Sequence, residues 1–290
     1  MELSGVYTAL VTPFFSNGKI DLNTFEKIVI NQLEFNIKGM VVFGTTGECP
    51  TLVKQEKIEL LQSCVNLAKG KASIIANCGT NSTQESIEMT LLAKAIGADF
   101  NLAIVPYYNK PTSRGIIQHF HQLADTSLPL IIYHHPGRTG IRLSIDSIEE
   151  IFQHENIVGI KECSSDLNLL QKMKERIPRI KILSGNDDEL IEQKQIGIDG
   201  VISVVAQLIP APFQSLFETG SKEEYEKLKP LIQAVFKEVN PQGIKALYEE
   251  LGYENMDFRL PMVRCEASTI RAIENELKQV FKYFPVGSNF

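Results

Sequence analysis

The chain has 290 residues, a net charge of -6 at pH 7, 43% hydrophobic residues and 22% charged residues. That size suits a single α/β barrel, and the mild acidity gives no electrostatic case for nucleic acid or an anionic membrane as a partner. No apolar stretch is long enough to span a bilayer, and Met1-Glu2-Leu3-Ser4-Gly5 carries neither a basic nor an apolar signal region, so a cytoplasmic location is expected.

In chain order, a short apolar run at 6–11 reads as a first strand and 22–36 as the helix that follows. The same alternation repeats with strands at 40–43, 73–77, 101–105, 130–134, 157–161, 180–183 and 200–204. Between them lie helical segments at 54–69, 84–96, 115–124, 145–152, 167–176 and 188–196. In the segment 54–69, Ile58, Leu61, Val65 and Ala68 fall at helical spacing. After the eighth strand the pattern is wholly helical, at 211–217, 222–239, 243–251 and 266–283.

Continuous apolar strands separated by helices imply a parallel sheet covered on both faces. Eight such units point to a closed (β/α)₈ TIM barrel. A doubly wound open sheet is disfavoured, because no Gly-x-Gly-x-x-Gly turn follows an early strand. The expected division is a catalytic barrel over residues 1–220 and a C-terminal helical appendage over 221–290.

In a barrel the chemistry sits where the strands end. The sixth run ends in Lys161, and a lysine seldom belongs where a buried strand runs out. Either it snorkels to solvent, or burial favours its neutral amine and makes it a nucleophile. An ordinary lysine, with a pKa of about 10.4, is neutral only roughly once in a thousand near pH 7.4.

Strand two is followed by Gly44-Thr45-Thr46-Gly47-Glu48, read as a plain turn or as a nest of N–H groups for a carboxylate. Strand four is followed by Pro106-Tyr107-Tyr108-Asn109, and paired tyrosines either pack an interface or relay protons. Strand five ends in Tyr133-His134-His135-Pro136-Gly137-Arg138. Alternation places Tyr133 and His135 on one side and His134 on the other. Arg138 offers a fork for a carboxylate or a surface salt bridge.

Adjacent histidines make a poor metal pair, and His119 and His121 at i, i+2 do not face each other, so no metal is expected. The five cysteines are odd in number and form no Cys-x-x-Cys pair, which argues against a disulfide framework or a zinc knuckle. An amine, two tyrosines, an N–H-rich turn and an arginine make a kit for Schiff-base chemistry on a 2-oxo acid.

On these motifs the chain resembles the dihydrodipicolinate synthase family, within the pyruvate-dependent class I aldolases. The likeness extends to Gly159-Ile160-Lys161-Glu162, Leu183-Ser184-Gly185, Gly200-Val201-Ile202-Ser203-Val204, Asn240-Pro241 with Lys245, and Arg259-Leu260-Pro261-Met262. The resemblance implies a lyase that condenses pyruvate with aspartate 4-semialdehyde, the first committed step toward diaminopimelate and lysine. It needs no cofactor beyond a covalent imine on Lys161. Tyr133 would relay protons with Thr45 and Tyr108, the last reaching across a dimer interface. The N–H groups of Thr45 and Thr46 would hold the pyruvate carboxylate, and Arg138 that of the aldehyde. Gly185 and Ile202 would complete the substrate contacts, in a homotetramer built as a dimer of dimers.

N-acetylneuraminate lyases and 2-keto-3-deoxy sugar acid aldolases share the nucleophile. Thr46 and Arg138 favour the synthase over them, and a non-catalytic barrel would have no use for the catalytic set. Two departures stand out: His134-His135, where the family commonly has asparagine and an aliphatic residue, and Gly243, where it has a proline. Asn81, Glu85 and Tyr107 match an allosteric lysine pocket. Lys54 and Lys57 replace its histidines, so weak or absent inhibition by lysine is expected.

Overall fold

The computed structural model describes residues 3–284. Eight strands form the expected barrel: β1 (Gly5–Ala9), β2 (Gly39–Val42), β3 (Ser73–Asn77), β4 (Phe100–Ile104), β5 (Leu130–His134), β6 (Ile157–Glu162), β7 (Lys181–Ser184) and β8 (Gly200–Ser203). Each pairs in parallel with the next, and β8 closes on β1, where Tyr7 faces Ile202. Every residue of β2, β3, β5 and β8 is buried. Their mostly apolar character follows, since one face meets the barrel interior and the other the helices.

The helices are α1 (Leu22–Glu34), α2 (Lys54–Ala68), α3 (Thr83–Ile96), α4 (Ser113–Ala124), α5 (Pro136–Thr139), α6 (Ile145–Ile151), α7 (Leu167–Arg176), α8 (Leu190–Ile196), α9 (Pro210–Thr219), α10 (Lys222–Val235), α11 (Gln242–Glu250) and α12 (Ala267–Tyr283). Asp21, Ser82, Thr112, Ser144, Asp166 and Ser221 each cap a helix by accepting a backbone N–H of the first turn. Each such cap contributes about 1 kcal/mol. Among the described residues no helix is long and apolar enough to cross a membrane.

Two elements differ from expectation. The single turn α5 occupies the segment that carries Arg138, which reads as loop in the sequence. The helix expected over 222–239 ends at Val235. The stretch that follows lines the barrel mouth with Phe236, Val239 and Asn240.

The C-terminal helices pack on one another and on the barrel. Leu228, Ile232, Leu247 and Ile273 belong to the same buried core as the strands. The Tyr248 hydroxyl donates to Gln207 Oε1 at 3.1 Å. The Tyr225 hydroxyl donates to the carbonyl of Asp188, just past β7.

Candidate active site

A cavity of about 440 Å³ opens at the C-terminal ends of the strands. Thr45, Thr46, Tyr133, Arg138, Lys161 and Gly185 all line it, so six of the expected site residues meet in one place. They arrive from β2, β5, β6 and β7, elements far apart in the chain.

Lys161 is the penultimate residue of β6 and only 8% exposed. It pairs in register with Tyr133 of β5, which places its ammonium Nζ 4.5 Å from the centre of the phenol ring. Burial lowers the pKa of Lys161 below the ordinary lysine value, with the nearby Arg138 cation acting in the same direction. The same burial raises the Tyr133 phenol, so the phenol keeps its proton. Its hydroxyl makes side-chain hydrogen bonds with Thr45 and Cys163.

Gly185 explains how Lys161 fits. A Cβ there would lie 2.1 Å from Cys163 Sγ and 2.6 Å from Lys161 Cε. Only glycine lets the chain leaving β7 pass this close to the lysine stem. Burial pushes the Cys163 thiol up to about 12, which leaves it a neutral packing group.

The threonine turn is bracketed by two non-glycine residues in left-handed conformation, Phe43 at φ +43° and Glu48 at φ +54°. A bulky residue there is strained, and such strain is held by surrounding structure. The restraint comes from the C-terminal helices. Lys245 Nζ, fully buried, donates to Glu48 Oε1 at 2.5 Å and to the Asp257 carbonyl at 2.7 Å. Asn240 Nδ2 donates to Thr46 Oγ1 at 2.9 Å. Among the described residues no protein acceptor takes the backbone N–H of Thr45 or Thr46, so both are available to an anion in the cavity.

Arg138 is exposed at the mouth, and its guanidinium makes no salt bridge or side-chain hydrogen bond among the described residues. His135 lines the cavity with its ring edge-on to Tyr133, centroids 5.8 Å apart. Burial, with the Arg138 and Lys161 cations, pulls its pKa down to about 4, so it is a neutral imidazole. Alternation along β5 thus sets Tyr133 and His135 inward and sends His134 outward to Glu162.

Sequence reasoning gives no role to Asp187 and names Asn240 only as part of a motif. Asp187 is buried in the cavity wall. Its Oδ2 accepts the N–H groups of Val204 and Val205 at 3.0 and 2.9 Å. Burial pushes its carboxyl up to about 6. Its signal was an acid two residues past Ser184-Gly185, at a strand tip.

Two expected residues lie elsewhere. Ile202 is fully buried in the wall, and Val204, two residues on, lines the cavity instead. Tyr108 is 89% exposed, at φ +70° on the loop after β4, outside the cavity of its own chain. Beside it, the Asn81 carbonyl accepts from Asn109 Nδ2 at 2.9 Å. Tyr107 is raised first by burial and then by Cys49 and Glu85, which places Glu85 within electrostatic reach.

Residues 2–280 match the dihydrodipicolinate synthetase family. A curated relative from Endomicrobium trichonymphae, a 4-hydroxy-tetrahydrodipicolinate synthase, is 41% identical over 284 residues, or 95% of this chain and 97% of that protein. The solved 4-hydroxy-tetrahydrodipicolinate synthase of Methylacidiphilum fumariolicum SolV has a TM-score of 0.94 at 32% identity, with 98% of each chain covered. The chloride-inhibited dihydrodipicolinate synthase of Acinetobacter baumannii, solved in complex with pyruvate, has a TM-score of 0.93 at 34% identity, covering 96% of this chain and 99% of that one.

Proposed function

The chain belongs to the dihydrodipicolinate synthetase family, and from that premise we propose that it condenses pyruvate with aspartate 4-semialdehyde as a lyase of aldolase type. The observation that carries this reading is the buried Lys161 amine, register-paired with Tyr133 and facing a cavity that also holds Thr45 and Thr46. The neutral amine attacks the pyruvate ketone, water leaves, and an imine forms. The free N–H groups of Thr45 and Thr46 hold the pyruvate carboxylate. Tyr133 carries the protons that enter and leave, through Thr45 and Tyr108 of the partner subunit.

Loss of a methyl proton turns the imine into an enamine, which attacks the aldehyde carbon. Arg138 holds the aldehyde's carboxylate through its unpaired fork. Attack by the substrate's own amine then closes the ring and frees Lys161, so no cofactor is consumed. An exposed Tyr108 fits a dimer in which each chain completes its neighbour's site, within a cytoplasmic homotetramer serving diaminopimelate and lysine synthesis.

The test is a coupled assay with pyruvate and aspartate 4-semialdehyde, run beside borohydride reduction with pyruvate. Turnover, with pyruvate fixed on Lys161 and both lost in Lys161→Ala, is the expected result. Trapping without turnover would keep the imine and reject the aldehyde.

A further inference from the structure

The outward faces of β5 and β6 carry a second register pair, one residue beyond Tyr133 and Lys161. His134 faces Glu162, and both side chains are fully buried. His134 Nδ1 lies 2.8 and 3.0 Å from the two carboxylate oxygens. On the other side of the ring, the Leu143 backbone N–H donates to His134 Nε2 at 3.1 Å. A backbone N–H can only donate, so Nε2 is an acceptor and carries no proton. The proton therefore sits on Nδ1 and points at Glu162. The Glu162 Oε1 atom also accepts the Ser164 N–H at 2.7 Å.

Leu143 ends the segment that begins at His135 and carries Arg138. Much of that segment is held by its own bonds. Arg138 N and Thr139 N donate to the His135 carbonyl, and Gly140 N donates to that of Pro136. Thr139 Oγ1 accepts from Ile141 N. Such a turn is stiff internally, but its place over the mouth depends on its two ends. One end is β5 itself. The other is Leu143, whose side chain is buried in the core and whose N–H donates to His134.

We infer that His134 is a positioning residue for Arg138: its Nε2 clamps the Leu143 end of the Arg138 segment, in the tautomer that Glu162 imposes. This rests on the reading of Arg138 as the contact for the aldehyde's carboxylate. Asparagine, which the resembled family commonly carries here, can supply the N–H to Glu162 but falls short of Leu143. The clamp is thus a property of the imidazole.

The test uses the intact enzyme with His134→Asn and His134→Phe, and Arg138→Leu alongside. His134→Asn keeps a donor for Glu162 and so keeps the fold, while His134→Phe keeps the ring shape. Loss of the clamp should raise the KM for aspartate 4-semialdehyde roughly ten-fold. The KM for pyruvate and the borohydride trapping on Lys161 should stay within about two-fold, because neither uses the clamp. Nitrogen-15 histidine spectra of the unaltered protein should show His134 protonated on Nδ1.

A proton on Nε2, or equal changes in both KM values, would overturn the clamp. So would an unchanged aldehyde KM in both His134 variants while Arg138→Leu raises it. If Arg138→Leu itself leaves that KM unchanged, it is the reading of Arg138 that fails.

Discussion

Tyr133 and Lys161 face each other across neighbouring parallel strands, with the ammonium 4.5 Å from the ring centre. Two effects oppose each other there. The ring face attracts the cation by about 0.5–2 kcal/mol. Burial favours the neutral amine by up to several pKa units, and the net direction is downward. The amine gains nucleophilicity as pH rises through this lowered value. Tyr133→Phe keeps the ring and loses the hydroxyl proposed to carry protons, so kcat/KM should fall on the order of 100-fold or more, with the pH dependence of trapping unmoved. Tyr133→Leu also loses the ring and should shift that dependence to lower pH. Identical trapping profiles for the two variants would rule out the ring's contribution.

Gly185→Ala tests the packing of the nucleophile. The added methyl has no space against Lys161 Cε or Cys163 Sγ. Displacing the lysine should cut the rate of borohydride trapping on the order of 100-fold. Cys163→Ala should not restore it, because the contact with Lys161 remains. Full rescue by the double variant would assign the constraint to the thiol alone.

Asn240→Ala removes the N–H that fixes the Thr46 hydroxyl at 2.9 Å. The KM for pyruvate should rise roughly ten-fold, with little change in that for the aldehyde. A change confined to the aldehyde would place Asn240 at the other substrate.

Asp187 gives a stability signature. Its folded pKa, about 6, is raised from 3.8, so the native state binds its proton more tightly than the unfolded chain does. This stabilising contribution is complete below about pH 3.8 and is lost as pH rises through about 6. It amounts to ~3 kcal/mol. Asp187→Asn should therefore raise the melting temperature relative to the unaltered protein at pH 7.5, with the gain shrinking below pH 5. An equal gain at both pH values would mean that the effect is not ionisation.

Free lysine should inhibit weakly or not at all. Lys54 and Lys57 stand at the start of α2, where their ammonium groups repel a cationic ligand. A steady-state titration showing strong inhibition at sub-millimolar lysine would contradict this.

The barrel was legible because each strand is a short apolar run closed by a turn, and a lysine ending such a run is conspicuous. Alternation correctly split Tyr133 and His135 from His134. Other features were hidden for physical reasons. Phe236 and Val239 keep apolar character past Val235, so the pattern extends the helix. In fact they leave it and face the cavity. The role of Asn240 depends on a contact with Thr46, 194 positions away, which no local pattern encodes. Asp187 has the sequence setting of a cap, and only burial distinguishes it.

The Lys245 and Glu48 pair has a consequence for engineering. Breaking a buried pair on one side costs about 3–5 kcal/mol. The charge on Glu48, beside the threonine turn that lines the cavity, is paired with a residue nearly two hundred positions later. In any chimera that grafts the barrel of one relative onto the terminal helices of another, these two residues must travel together, with Asn240 and Thr46. A recombination point at 220 divides both couples between the two parents, so a hybrid made there keeps its threonine turn in place only if the second parent supplies a lysine and an asparagine at the positions of Lys245 and Asn240.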